Sequence, residues 1–159
     1  MKIAIIYYSL SGNTKYVAQQ MAPSLDADLI PLMPKKAYPD SGFKKFFWGG
    51  KSAVMGEQPA LEPYAFHADR YDTVILGTPV WAGTIAPPLR SFITENQKAL
   101  QNKRIAIFVC CSGGPGKVMD KAKKVLGMDG IAAELILIDP KDKPSKKNEE
   151  SIEAFCNSL

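Results

Sequence analysis

A single histidine, His67, stands in 159 residues, and the three cysteines, Cys110, Cys111 and Cys156, form no C-x-x-C pair. No group of Cys, His, Asp and Glu has metal-ligand spacing, so no metal site is expected. A hydrolytic triad would have to use His67, and the chain has no nucleophile elbow to serve it. No residue therefore stands out as catalytic. Adjacent cysteines at a strand end read as small buried hydrophobes rather than as redox thiols, because no base or resolving cysteine accompanies them. No apolar run approaches the ~20 residues of a membrane span. Met1-Lys2 leads straight into a strand pattern with no small-residue cleavage site, and together with the unpaired cysteines this sets the expectation of a reducing cytoplasm. The net charge of +4 is modest, and the lysines do not alternate with aromatics, so neither nucleic acid nor membrane is expected as a partner. Two phosphate motifs are also missing: the G-x-x-x-x-G-K-[ST] loop of nucleoside triphosphatases and the G-x-G-x-x-G turn of dinucleotide binders. Internal repeats and low-complexity segments are absent.

What is present is a core and a rhythm. Hydrophobic residues make up 46% of the chain, and the length suits one domain over residues 1–159. Five apolar strands are expected at about Lys2–Tyr8, Asp28–Leu32, Thr73–Gly77, Arg104–Val109 and Ala133–Ile138. Helical periodicity follows at about Thr14–Ala22, Pro87–Leu100, Lys117–Leu126 and Asn148–Ser158. Pro87 and Pro88 fall where a helix begins, a position at which a missing N–H costs little. The alternation predicts an α/β fold: a doubly wound, five-stranded parallel sheet with helices on both faces, in the order 2-1-3-4-5. That order puts its switch point beside strands one and three. The long connector Met33–Arg70 breaks the alternation. Its aromatics Phe43, Phe46, Phe47, Trp48, Tyr64 and Phe66 suit either a cover for the sheet edge or a lid near a ligand.

The most specific segment follows the first strand. Ser9-Leu10-Ser11-Gly12-Asn13-Thr14 is a hydroxyl-rich turn opening a helix. Unpaired helix N–H groups, the helix dipole and three hydroxyls make it a site for an anion, and Gly12 lets the backbone curl closely. Neutral donors with no arginine in the turn suit a terminal phosphomonoester. An ordinary Ser- or Asn-capped connection has the same residue types.

Two further strand ends carry ligand signals. Thr78-Pro79-Val80-Trp81-Ala82-Gly83 places an indole in a Pro- and Gly-bearing loop, able to present its face to a flat ring, although a Trp there could also plug the sheet end. Cys111-Ser112-Gly113-Gly114-Pro115-Gly116, after strand four, frees backbone groups to bond a ligand edge.

These segments resemble the flavodoxin family. Ser9, Ser11, Gly12, Asn13 and Thr14 match its S/T-x-S/T-G-x-T turn, and Pro79, Trp81 and Gly83 match the P-x-W-x-G loop of small flavodoxin-like proteins. The resemblance spans most of the chain and implies flavin mononucleotide (FMN) as cofactor. Its phosphate would lie on the first turn, its ring against Trp81, and its pyrimidine side along Cys111–Gly116. It also implies an electron carrier working between redox partner proteins, a donor reductase and an acceptor. Two departures stand out. The chain is basic where electron-shuttling flavodoxins are usually acidic, and the third loop has no aromatic to cover a second ring face. The second departure keeps open an FMN-dependent NAD(P)H reductase acting on a quinone or similar acceptor. A receiver-like module without redox chemistry would need carboxylates at the end of strand one, where Tyr7, Tyr8 and Ser9 stand.

Overall fold

Strand β1 (Ile3–Tyr7) is buried along its whole length, and its side chains divide cleanly between two hydrophobic layers. Ala4 and Ile6, with Tyr8 just beyond, join one core. Ile3, Ile5 and Tyr7 join the other. A strand with apolar residues at every position can be stable only with both faces covered, and helices supply the cover. The computed structural model describes residues 1–39 and 50–159. Connector residues Phe43, Phe46, Phe47 and Trp48 lie outside the described residues.

The sheet runs β2-β1-β3-β5-β6, all parallel, where β2 is Asp28–Pro31, β3 Thr73–Trp81, β5 Arg104–Cys111 and β6 Ala133–Ile138. Helices α1 (Asn13–Leu25) and α4 (Lys146–Asn157) bury Val17, Met21, Ile152 and Phe155 on one face. Helices α2 (Pro87–Leu100) and α3 (Val118–Leu126) bury Leu89, Phe92, Val118 and Ala122 on the other. The doubly wound order expected from the sequence is therefore present, with one addition. Strand β4 (Thr84–Ile85) turns back antiparallel onto the end of β3, pairing Val80 with Ile85 and Trp81 with Thr84.

That hairpin corrects the expectation of a loop after Gly77. Strand β3 continues four residues further, and the turn is only Ala82-Gly83, with φ of 50° and 70°. Two successive left-handed residues give the turn whose twist matches a hairpin, and alanine there is under strain that glycine is not. Likewise β5 runs to Cys111 rather than Val109, and α1 continues past Pro23 to Leu25.

The described part of the connector lies along the β2 edge and α2. Pro34 bridges Leu61, the Ser91 hydroxyl donates to the Pro59 carbonyl, and Phe66 stacks on Tyr71 while meeting Phe92 edge-on. It also sends Tyr38 and Gly50 toward the carboxyl ends of β1 and β3.

Candidate functional site

The carboxyl ends of β1, β3 and β5 open into a cleft of about 330 Å3 at the switch point, within the roughly 300–1,000 Å3 typical of small-molecule sites. Of the residues singled out from the sequence, Ser11, Asn13, Thr14, Pro79, Val80, Trp81, Ala82, Gly83, Cys111, Ser112, Gly113 and Gly114 line it. Three separate chain segments thus meet around one space.

The first turn supplies the donors. Gly12 sits at φ 98°, which turns the chain into α1. Ser9 Oγ accepts the Lys15 N–H at 3.1 Å, and the Gly12 carbonyl accepts from Tyr16. The N–H groups of Gly12, Asn13 and Thr14 have no acceptor among the described residues. Unpaired N–H groups at the positive end of a helix dipole suit an anion; Asn13 and Thr14 line the cleft, whereas Gly12 does not. Ser9 itself lies outside the cleft lining and acts by capping this turn.

Asn13 does something the sequence does not foretell. Its side chain is buried, and both of its polar ends are engaged by the segment after β6. Oδ1 accepts the Lys141 N–H at 2.9 Å and Nδ2 donates to Asp142 Oδ2 at 3.1 Å. Asn13 therefore lines the cleft while its side-chain amide ties two loops together.

The second segment places Trp81 as the last residue of β3. Tyr8 and Tyr38 meet its ring edge-to-face at centroid distances of 5.6 and 5.2 Å. Such contacts hold the indole in one orientation, leaving part of its surface to line the cleft. Thr78 is different: it is fully buried, and its hydroxyl accepts the Ala86 N–H at 2.9 Å across the hairpin, so it supports the loop from behind.

In the third segment a Cβ on Gly113 or Gly114 would meet nothing within 4 Å, so both positions border open space. Gly116 does not line the cleft but packs directly behind Gly83, which does. A Cβ there would stand 3.2 Å from Gly83 Cα, which makes Gly116 the close contact that locks the third loop onto the hairpin tip.

Leu10, Gly50, Cys110 and Asp139 complete the lining; Leu10 belongs to the hydroxyl-rich turn and Cys110 adjoins the third loop, whereas the sequence offered no signal for Gly50 and Asp139. Asp139 adopts φ 42° and receives a Lys143 ion pair at 3.1 Å. A hydrogen bond from the Ser112 hydroxyl, then the Lys143 ammonium, holds its carboxyl below the ordinary range. Burial pushes the Cys110 thiol up to about 12, against a smaller opposing hydrogen bond from Thr14, and burial also raises the Cys111 thiol. Both therefore stay protonated near neutral pH and make poor nucleophiles. No cluster of potential metal ligands occurs among the described residues, nor is any helix there long and apolar enough to cross a membrane.

A doubly wound parallel sheet whose switch point carries a hydroxyl-rich helix start and an indole has the architecture of an α/β protein of the flavodoxin type. The profile of the flavodoxin family matches residues 2–153, and the chain belongs to that family. Among solved structures, a flavoprotein of Lactobacillus acidophilus NCFM in complex with FMN superposes with a TM-score of 0.72 at 21% identity, covering 89% of this chain and 95% of that one. A protein of Bacteroides eggerthii DSM 20697 gives 0.76 at 21% identity, covering 98% and 96%. Oxidised flavodoxin 1 of Bacillus cereus gives 0.56 at 17% identity, covering 99% and 96%.

Proposed function

We propose that this chain binds FMN and carries electrons between redox partner proteins in the cytoplasm. The observation that carries the reading is one cleft lined both by Asn13 and Thr14, whose helix-start N–H groups have no acceptor among the described residues, and by the Trp81 indole. The first set suits a phosphomonoester and the second a flat conjugated ring, and FMN has both at its two ends. Hydroxyls of Ser11 and Thr14 can add to the phosphate cradle. Trp81, braced by Tyr8 and Tyr38, offers a wall for one ring face. The Ala82-Gly83 turn and Ser112–Gly114 present backbone groups to the ring edges. Bound FMN supplies the redox chemistry, and the protein sets its exposure and polarity. The hairpin tip carries a positive neighbour, since Lys121 Nζ lies 3.9 Å from a Cβ built on Gly83. An acidic partner suits this rim, and its association should slow as salt rises.

The third loop has no aromatic between Ser112 and Gly116, which favours one rival: an FMN-dependent NAD(P)H reductase using an uncovered ring face. Two measurements decide. FMN should bind at one per chain and far more tightly than riboflavin, because riboflavin leaves the turn's donors without their anion. Equal affinities would defeat the phosphate assignment. In stopped-flow mixing with NADH or NADPH alone, reduction should be slow. Flavin bleaching at about tens per second or faster would transfer the protein to the reductase class.

A further inference from the structure

The turn that suits a phosphate contains no cation of its own, yet the fold lays one across it. A methyl group built on Gly12 would stand 3.4 Å from Cε and 3.5 Å from Nζ of Lys141. Lys141 lies 129 positions from Gly12 in sequence and arrives on the segment following β6. The backbone beneath it is firmly held. Asp139 N–H donates to the Cys111 carbonyl at 3.0 Å, Lys141 N–H to Asn13 Oδ1 at 2.9 Å, and Lys143 N–H to the Asp139 carbonyl at 2.7 Å. Asn13, the first residue of α1, is thus the peg on which the lysine's backbone hangs, and only the Lys141 side chain is left to move.

That side chain has a weak partner. Nζ meets Asp142 Oδ1 at 3.3 Å, with both side chains about half exposed, and exposed pairs of this kind contribute little. Asp142 does not depend on the lysine for its place, because Asn13 Nδ2 holds its other oxygen at 3.1 Å. A phosphomonoester carries close to two negative charges near neutral pH and offers three acceptor oxygens. It therefore outcompetes a single solvated carboxylate for the same ammonium group.

We propose that Lys141 is a specificity-determining residue for the phosphate end of the ligand, its ammonium group leaving Asp142 to pair with the phosphomonoester seated over Gly12–Thr14. Asp142 parks the lysine beside the turn when no anion is there. The proposal rests on the FMN reading above and adds to it a charged contact that the sequence of the turn does not contain.

The test titrates the flavin-free protein with FMN and with riboflavin, at low and at high salt, for the wild type, Lys141→Gln, Lys141→Arg and Asp142→Asn. Lys141→Gln should weaken FMN about tenfold, as expected for loss of a charge-assisted hydrogen bond in a partly exposed site, and should leave riboflavin unchanged. It should also reduce the salt dependence of FMN binding. Lys141→Arg should retain most of the affinity. Asp142→Asn, which keeps an oxygen for Asn13 Nδ2 but frees the lysine, should tighten FMN and not riboflavin. Riboflavin binding serves as the check that each variant keeps its cleft. A wild type that prefers FMN together with a Lys141→Gln variant of undiminished preference overturns the role of Lys141 alone. Equal losses for FMN and riboflavin in that variant overturn it too, by showing that the residue only supports the loop. A wild type without preference for FMN overturns the phosphate reading beneath both.

Discussion

Replacing Gly77 by alanine puts a methyl group inside an aromatic ring. A Cβ on Gly77 would lie 2.2 Å from Cζ and 2.5 Å from Cε1 of Phe108, its neighbour across the β3–β5 pairing, roughly 1.5 Å closer than a normal carbon–carbon contact of about 3.5–4.0 Å. Phe108 is completely buried, between Ile75 on β3 and the helices that cover that face, so its ring has no empty space to enter. Either the ring leaves its rotamer or β3 and β5 separate at the strand end that carries the site. Overpacking of this severity should cost about 3 kcal/mol, a large share of a domain stability of about 5–15 kcal/mol, and should lower Tm by about 6–12 °C. Phe108→Leu should cost about 1.5 kcal/mol by itself. The double variant should be at least about 1 kcal/mol more stable than the two losses added together, because leucine vacates the space that the new methyl needs. Urea unfolding of the four proteins measures this cycle. A Gly77→Ala protein within about 0.5 kcal/mol of wild type, or simple additivity in the double variant, would refute the reasoning.

Trp81→Ala should weaken FMN and riboflavin by a similar factor, about tenfold, since the indole faces the ring that both share; fluorescence titration measures it, and an unchanged affinity would show that the indole is not a ring contact. The Asp139 carboxyl is held below its ordinary range by Ser112 and Lys143. The stability it contributes is present above the unfolded carboxylate pKa and is lost as pH falls through the lower folded value. Asp139→Asn should therefore destabilise the protein at neutral pH and flatten the acid side of its stability profile below about pH 5, as read from Tm against pH. An acid side as steep as that of the wild type would remove Asp139 from the account.

Much of the architecture was legible because it is written in short-range pattern. The continuous apolar run of β1 announces cover on both faces, and Pro87-Pro88 marks the start of α2 where the structure has it. The hydroxyl turn, Trp81 and the third loop could be placed at strand ends, and a doubly wound order brings those ends together. The hairpin was harder to see. Its turn uses Ala82 at a left-handed position that asparagine, aspartate or glycine would have advertised, so the local signal was faint. Pro79 further discouraged extension of β3.

What the chain determined by itself was the periodicity of its strands and helices and the chemical character of its three loops, because both depend on residues a few positions apart. Only the folded molecule decided what those loops meet. Gly77 reads as an innocent strand residue until Phe108 lies across it. Tyr38 reads as part of a connector until it braces Trp81. The first turn reads as neutral until Asn13 fastens Lys141 beside it, across 128 positions of sequence. Contacts of that kind arise from the closing of the sheet and the docking of α1 beside the segment after β6. Their partners are chosen by distance in space, on which residue spacing along a chain carries no information.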